Sequence, residues 1–440
     1  MANSLVSEEK PKFSTRFRRN EMWTYFGPAF VASVAYIDPG NFATNIEGGS
    51  RFGYRLLWVL LWSNAMAILI QYLSAKLGIV TGLTLPQNCR KHFSRPMTLF
   101  LWVAAEVSAI ATDLAEFLGA ALGIYLLCGP ALLAHGWSRT ETLFAAALVS
   151  AVAVFLILAL DLAGYQWLER GIMSFVGIIG LCYGFEVFLV HPDWKLAAFH
   201  TLVPTLDPKD LHGSLYVAVG MLGATVMPHV VYLHSALVQP RRAELIKRPK
   251  LEGTSRRRSY LRFELVDVFV AMNGAWLINS AMIVMSAVAF GHLSNPVTTI
   301  EEAHRTLGPL LGSAAATVFA VALLCSGLSS STVGVMAGQV IIEGFLDIKF
   351  SIFLRRLITI IPAMVVIALG LDPLKILILS QVVLSFTLPF ALIPLLLLTN
   401  RASVMRSFVS ARRTQVAGWC AVGIILTLNI VLLGQIAFGD

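Results

Sequence analysis

Long hydrophobic runs, separated by short polar and basic segments, fill almost the whole chain after about residue 24. A helix that crosses a membrane needs about 20 mainly apolar residues. Eleven stretches meet this requirement, which predicts an all-α polytopic membrane protein with about eleven transmembrane helices. We number them spans 1 to 11, at about residues 24–47, 56–79, 97–127, 141–160, 170–190, 213–238, 264–290, 309–336, 355–371, 374–399 and 415–437.

The composition excludes a soluble protein of ordinary type. Hydrophobic residues make up 57% of the chain and charged residues 13%, whereas soluble domains contain about 25% charged residues. The net charge of +8 is not that of a nucleic-acid-binding domain, because the basic residues lie between the hydrophobic runs and not on one soluble face. We therefore expect the lipid bilayer, and no nucleic acid, as a partner.

The distribution of basic residues predicts the orientation. Loops on the cytoplasmic side of membrane proteins are enriched in Lys and Arg. If the polar tail at residues 1–20 is cytoplasmic, most of the 33 Lys and Arg fall on that side, and Asp440 lies outside. The tail lacks the pattern of a cleavable signal peptide. We expect a multi-pass protein of the cell (inner) membrane, with a single transmembrane domain over residues 21–440.

Span 1 contains a sequence that should interrupt its helix. Asp38-Pro39-Gly40-Asn41 lies in its middle; proline lacks an N–H, and glycine adopts unusual dihedral angles. Such a break is tolerated in a membrane only where it is packed in protein or lines a cavity. Because an unpartnered carboxylate at that depth is costly, Asp38 beside a break indicates a cation site. The alternative is a proline kink in which Asp38 pairs with a basic residue.

Span 6 contains a second, matching interruption. Both sequences read Ala-x-x-x-Pro, from Ala35 to Pro39 and from Ala224 to Pro228. Since span 6 comes five spans after span 1 in the chain, the second copy enters from the opposite side of the membrane. This pattern predicts inverted repeats with a substrate site between discontinuous helices. We expect repeat one at about residues 21–192, repeat two at about 210–400 and an extra helix at about 415–437.

The residue types at the two breaks indicate a transition metal. Asp38 and Asn41 supply hard oxygen ligands, and Met227 supplies a soft thioether. Mg²⁺ and Ca²⁺ favour shells made of oxygen alone, while sulfur favours transition metals such as Mn²⁺ and Fe²⁺. A methionine in a membrane helix is usually a packing residue, and its place at the break favours the ligand interpretation.

At these motifs the chain resembles the Nramp (natural resistance-associated macrophage protein) family of divalent metal transporters, of the bacterial manganese and iron type. The resemblance covers essentially all eleven spans. Its motifs are DPGN at 38–41, FATN at 42–45, ATDLAEF at 111–117, MPH at 227–229, YLHS at 232–235 and GLSSS at 327–331. Many animal members carry Asn-Leu after the histidine, where this chain has Val230 and Val231.

The resemblance implies two inverted five-helix repeats of the sodium-symporter type, with discontinuous helices 1 and 6. It also implies import of divalent metal ions coupled to protons. By match of motif, the metal ligands would be the side chains of Asp38, Asn41 and Met227 and the carbonyl of Ala224. In some conformations the carbonyl of Ala35 and the side chain of Gln381 would join them.

Acidic residues within span 3 are candidates for a proton path. Glu106, Asp113 and Glu116 lie on one side of a helix, and intramembrane acids often mark proton relays. Arg355 and Arg356 begin span 9 and could pair with Asp113 and Glu116, or could extend to the cytoplasmic surface. The resemblance favours the relay, with proton contacts at Asp38 and His229. We interpret His234 as a hydrogen-bonded packing residue.

Other function classes fit the sequence less well. A sodium-coupled symporter of an organic solute is the main alternative on this fold, and a channel is a weaker one. The motifs H-E-x-x-H and G-x-S-x-G are absent from the sequence, so an intramembrane enzyme is not expected. We expect no cofactor, since metal ions and protons are transported, and a monomer.

Overall fold

The computed structural model describes residues 27–159, 165–240, 253–291, 297 and 299–438. Within them all regular structure is helical, and the helices, numbered in chain order, occupy all eleven predicted spans. The N-terminal tail at 1–20 and residues 241–252 of the basic segment after span 6 lie outside the described residues. The α-helices are α1 (Pro28–Ala35), α2 (Pro39–Phe52), α3 (Leu57–Thr81), α4 (Leu85–His92), α5 (Arg95–Ala134), α6 (Arg139–Ala159), α7 (Tyr165–Val190), α8 (Trp194–Leu202), α9 (Leu211–Thr225), α10 (Pro228–Leu237), α11 (Gly253–Phe290), α12 (Ile300–Leu311), α13 (Ser313–Leu346), α14 (Ile352–Ala368), α15 (Pro373–Thr399), α16 (Ala402–Met405) and α17 (Arg412–Phe438).

The spans follow the predicted order. Within the described residues, nine helical segments are long and apolar enough to cross a membrane. This count is lower than the eleven predicted spans for two reasons. Spans 1 and 2 continue into each other through a 3₁₀ turn and count as one segment, Pro39–Thr81, and α14, which forms span 9, has only 17 residues.

Four connecting helices among the described residues were not expected, namely α4, α8, α12 and the short α16. Each carries polar residues that dilute its hydrophobic pattern. The predicted start of span 8 at residue 309 was also wrong, because Pro309 belongs to α12. Gly312, with φ of 96°, separates that helix from α13.

Spans 6, 8 and 10 form the centre of the bundle. In their most apolar windows, 94%, 78% and 72% of the residues are buried, compared with 22% in span 5. Spans 1 and 6 each consist of two shorter helices, α1 with α2 and α9 with α10. Because span 6 comes five spans after span 1, the second five-helix unit is inverted relative to the first.

Glycine residues let spans 3 and 8 approach closely. A Cβ on Gly123 would lie 2.6 Å from the Cα of Leu324, and a Cβ on Gly327 would overlap the backbone of Ala120. Close contact of backbones through small residues is the usual way in which membrane helices associate. It fixes the acidic helix of span 3 against span 8.

Candidate functional site at the two helix breaks

The first break covers Tyr36, Ile37 and Asp38. Helix α1 ends in a tightened turn, in which the N–H groups of Tyr36 and Ile37 bond to carbonyls three residues earlier, at 3.0 Å each. Helix α2 begins at Pro39, and Asp38 is its N-cap. Asp38 Oδ1 accepts from the N–H of Asn41 at 2.8 Å. Proline suits the first helical position because that position needs no donor.

Neighbouring spans satisfy the backbone that the break exposes. The carbonyl of Tyr36 accepts from Asn279 Nδ2 of span 7 at 2.6 Å, and that of Ile37 accepts from Ser326 Oγ of span 8 at 2.6 Å. The break is therefore enclosed by protein, as a membrane helix requires. It is a fixed feature of the fold and not a simple proline kink.

The second break lies at Val226 and Met227. Helix α9 ends at Thr225, and α10 begins at Pro228 with Met227 as its N-cap in an extended conformation, φ −74° and ψ 122°. A thioether does not cap a helix as an oxygen does, and Met227 forms no side-chain cap. Its sulfur is fully buried with the rest of the side chain.

Asn41 joins the two breaks directly. Its Nδ2 donates to Asp38 Oδ1 at 2.7 Å and to the carbonyl of Ala224 at 3.0 Å. Asp38 Oδ2 and Asn41 Oδ1 are buried and have no hydrogen-bond partner among the described residues. Two oxygen atoms are thus buried and available to a cation, at the point where α2 meets the end of α9.

Gln381 of span 10 packs against the first break. A Cβ on Gly40 would overlap the Gln381 side chain, and one on Gly223 would overlap the Gln381 carbonyl. Gln381 Nε2 donates to Ser380 at 3.1 Å, while its Oε1 is buried without a partner among the described residues. The glycines in both broken helices therefore bring Gln381 to this site.

Ala35 is buried as the last residue of α1. Its carbonyl takes no part in the hydrogen bonds that join Asp38, Asn41 and Ala224. Among the described residues, no group of three or more His, Cys, Asp and Glu residues could hold a metal ion. A metal at the breaks would instead be held by one carboxylate with amide, carbonyl and thioether groups. Two unpaired oxygens where the breaks meet, with a buried thioether at the second break, fit that donor set.

The acids of span 3 meet the arginines of span 9, in a pairing that differs from the expected one. Arg355 binds Glu106 with both terminal nitrogens, at 3.0 and 3.3 Å. Arg356 Nη1 lies 3.7 Å from Asp113, and its Nη2 donates to Ser331. Both arginines are buried, so the alternative that they extend to the surface is wrong.

Glu116 has no direct arginine partner among the described residues. Both of its oxygens are buried without hydrogen bonds, and the carboxylate interacts electrostatically with Asp113, Asp38 and Arg356. A Cβ on Gly334 of span 8 would overlap Glu116. Glu116 thus lies between the arginine network and the first break.

His229 connects the second break with span 3. Its Nδ1 lies 3.0 Å from Thr112 Oγ1, beside Asp113 in the chain, and its Nε2 has no partner within the described part of the chain. Pro39 also touches span 3, since a Cβ on Gly119 would overlap its ring. The candidate metal site and the acidic helix are therefore neighbours.

The sequence predicted only part of a further buried network of polar groups. His234 lies 2.9 Å from Glu264 through Nε2 and 2.9 Å from Gln71 through Nδ1. Gln71 in turn donates to the hydroxyl of Tyr36 at 2.6 Å. The hydrogen-bonded packing of His234 is confirmed, but Glu264 was not singled out. Glu264 could have been found from the sequence, because it is an acidic residue within a hydrophobic run.

Comparisons with known proteins agree over almost the full chain. Residues 29–435 match the family model described as natural resistance-associated macrophage protein-like, Nramp. The divalent metal cation transporter MntH of Caldanaerobacter subterraneus is 47% identical over 429 residues, covering 98% of this chain and 97% of that protein.

Two solved structures are similar in fold. A manganese transporter of Eremococcus coleocola, in complex with an aromatic bis-isothiourea substituted compound, has a TM-score of 0.82 and 32% identity, covering 99% of this chain and 92% of that one. The nucleobase-cation-symport-1 family transporter Mhp1 has a TM-score of 0.58 and 11% identity, covering 94% and 92%. Its likeness concerns the fold alone. On the family model and on these relatives, the chain belongs to the Nramp family.

Proposed function

We propose that this protein imports divalent transition metal ions, Mn²⁺ and Fe²⁺ among them, in symport with protons. The observation that carries the proposal is the meeting of Asp38, Asn41 and the Ala224 carbonyl at two helix breaks, with Met227 buried at the second break. One negative charge, hard oxygens and a soft sulfur suit these ions. The names of the relatives, which are divalent metal cation and manganese transporters, support the same substrate class.

In the proposed site, Asp38 provides charge and one free oxygen, and Asn41 provides a second. Met227 provides selectivity against Mg²⁺ and Ca²⁺, which favour oxygen alone. The Ala224 carbonyl becomes available when the metal displaces the Asn41 amide. Gln381 and the Ala35 carbonyl would complete the shell in particular conformations, as the discontinuous helices change their packing during alternating access.

The proposed proton path begins at the metal site and continues along the acidic residues of span 3. Asp38 and His229 lie at the metal site, and Asp113 and Glu116 lie behind it. Glu106, Arg355 and Arg356 form the far end of the path. A buried acid without a partner, such as Glu116, is suited to exchange a proton. Coupling would follow because metal binding at Asp38 changes the charge that Glu116 faces.

The membrane arrangement is part of this proposal. We infer that the protein is monomeric in the cell (inner) membrane, with residues 21–440 as one transmembrane domain, the N-terminus in the cytoplasm and the C-terminus outside. The loop charges support this orientation. The inferred function is transport and not catalysis, with the metal and the proton as cargo.

Uptake into proteoliposomes tests the proposal. Mn²⁺, Fe²⁺, Mg²⁺, Ca²⁺ and Na⁺ would be offered in turn, with a pH-sensitive dye inside. We expect Mn²⁺ and Fe²⁺ to enter together with protons, and Mg²⁺ and Ca²⁺ to be excluded. Uptake of an organic solute driven by Na⁺, without metal uptake, would instead support the alternative symporter.

A matched pair of variants isolates the role of Asp38. Asp38 and Asp372 are both N-caps directly before a proline, at the starts of α2 and α15. Since Asn caps helices as well as Asp does, Asp38→Asn and Asp372→Asn should both fold. We expect Asp38→Asn to abolish Mn²⁺ uptake and Asp372→Asn to retain it. Equal uptake by the two variants would show that metal binding does not need the Asp38 charge, which would contradict the proposal.

A further inference from the structure

A cavity of about 200 Å³ lies where span 2 ends, span 7 begins and span 10 connects to span 11. Four basic residues line it: Lys91 and His92 at the end of α4, Arg257 near the start of α11, and Arg406 after α16. These residues are distant in sequence, so the fold itself assembles the positive charge. By the loop charges, this end of the bundle is the one proposed to be cytoplasmic.

The described residues do not balance the positive charge in this cavity. No Asp or Glu is among the described residues that line it, and the four basic side chains form no ion pair with other described residues. Arg90, beside Lys91 in the chain, does have a partner, Asp347 at 2.9 Å. The pKa of His92 is lowered from its ordinary value by burial and by the charges of Lys91 and Arg401. The cations therefore repel each other and favour an anion.

Asn88 supplies a different kind of group to the same cavity. It is 1% exposed, and its Nδ2 donates to Thr81 Oγ1, the Leu83 carbonyl and the Thr84 carbonyl at 3.0 to 3.1 Å. Its Oδ1 is buried and has no partner among the described residues. A buried acceptor without a donor is costly. A ligand that carries a hydroxyl as well as negative charge would satisfy it.

The backbone at Arg406 is also unusual. Its φ is 51° and its ψ is −123°, a conformation that side chains other than glycine seldom adopt. Residues held in such conformations concentrate at ligand sites, because the surrounding structure must fix them in place. The connection between spans 10 and 11 thus holds an arginine at the cavity in a strained conformation.

We propose that this cavity binds the phosphate of an anionic phospholipid whose headgroup carries a hydroxyl, as phosphatidylglycerol does. The basic side chains would bind the phosphate oxygens, and Asn88 Oδ1 would accept from the headgroup hydroxyl. The cavity volume of about 200 Å³ corresponds to roughly seven waters at about 30 Å³ each, which suits a headgroup. Val80, at the end of span 2, and Val404 form apolar walls, which favours a lipid over a free anion. Basic pockets between membrane helices on the cytoplasmic side commonly bind such lipids.

Lipid retention and stability in nanodiscs test this proposal. Wild-type protein would be compared with Arg257→Gln/Arg406→Gln in phosphatidylcholine nanodiscs with and without phosphatidylglycerol. Bound lipid would be counted by native mass spectrometry, and unfolding would be followed on heating. Each lost charge should lower the affinity about 5-fold, so the double variant should retain phosphatidylglycerol roughly 25-fold less strongly. It should also lose the stabilisation that this lipid gives to the wild type.

Arg412→Gln/Arg413→Gln is the matched control. These arginines begin span 11 at the same end of the bundle and do not line the cavity. Equal losses in the two double variants would overturn the site, because only general attraction to anionic lipid would then remain. If millimolar inorganic phosphate in phosphatidylcholine nanodiscs stabilised the protein as phosphatidylglycerol does, the lipid assignment would be wrong and a soluble anion would be the ligand.

The titration of His92 gives a readout that does not depend on unfolding. Phosphatidylglycerol should raise the His92 pKa, since a bound anion favours the charged imidazole. Histidine-labelled protein would be titrated by NMR in detergent, with His92→Gln used to assign the signal. A His92 pKa that does not move when phosphatidylglycerol is added would contradict the proposal.

Discussion

The two carboxylate oxygens of Asp38 have different surroundings. One residue can therefore both cap the helix and offer an oxygen to a ligand at the candidate site. Oδ1 caps α2 and accepts from the Asn41 side chain, so it fixes the break. Oδ2 is buried without a partner among the described residues, so it is free for a ligand. Helix capping alone would be satisfied by asparagine, which is why the carboxylate indicates charge recognition.

Individual residues were predicted unevenly from the sequence. Asp38, Asn41 and Met227 lie within two residues of Pro39 or Pro228, so the helix breaks themselves drew attention to them. Gln381 lies in an unbroken hydrophobic run, and only the family resemblance pointed to it. Its place at the site depends on Gly40 and Gly223, which no local pattern connects with span 10.

The thioether of Met227 should control the choice of metal. We expect Met227→Leu to keep part of the Mn²⁺ uptake and to reduce discrimination against Ca²⁺ by on the order of 10-fold, equivalent to ~1.4 kcal/mol. Leucine keeps the side-chain volume and removes only the sulfur. Competition of Ca²⁺ with Mn²⁺ uptake in proteoliposomes measures the effect.

Met285→Leu provides the control for that experiment. Met285 is also fully buried, in span 7, but does not lie at a break. Its substitution should leave selectivity unchanged, since Leu and Met exchange at little cost in a core. If Met227→Leu also kept wild-type selectivity, the thioether would be a packing group and the transition-metal argument would lose its basis.

At the scale of helices, the local sequence determined the breaks but not the partners across the bundle. Proline at the first helical position and the residues before it specify where α2 and α10 begin. The pairing of Arg355 with Glu106, and of Arg356 with Asp113, depends on the relative height of spans 3 and 9. The periodicity of one helix does not show how far it is shifted along the membrane normal relative to another. The expected pairing of the two arginines with Asp113 and Glu116 was therefore only partly right.

The close contact of spans 3 and 8 should be sensitive to one methyl group. A Cβ on Gly123 would lie within 2.7 Å of the Leu324 backbone, which cannot move as a side chain can. We expect Gly123→Ala to destabilise the protein by about 1–3 kcal/mol, the usual cost of overpacking. Thermal unfolding in a single detergent would show the loss as a lower midpoint.

Gly177→Ala, in span 5, is the natural comparison. A Cβ there meets nothing within 4 Å, and alanine favours a helix over glycine by about 1 kcal/mol. This variant should be neutral or slightly more stable. A midpoint that falls equally in both variants would mean that the contact between spans 3 and 8 does not explain the effect.

In the whole molecule, the candidate metal site and the acidic network belong to different sets of spans. Spans 1, 6 and 10 carry the candidate metal ligands, while spans 3 and 9 carry the acids and arginines and span 8 packs between them. At the breaks, His229 contacts Thr112 and Pro39 contacts Gly119. Spans 3 and 10 also pack against each other, for example through Phe100 and Phe390. We expect coupling between metal and proton to depend on the contact of His229 with Thr112, because His229 lies at the second break and Thr112 adjoins Asp113.

Removal of the Thr112 hydroxyl tests this contact without changing a candidate metal ligand or an acidic residue. Thr112→Val keeps the shape of the side chain and breaks the contact with His229. A hydrogen bond worth about 1 kcal/mol corresponds to roughly 5-fold, so proton flux per Mn²⁺ should fall by about that factor while the KM for Mn²⁺ changes little. Thr399→Val removes a buried hydroxyl that bonds only within span 10 and should leave the ratio unchanged. A higher KM with an unchanged ratio would place Thr112 in metal binding and would show that protons reach Asp38 by another path.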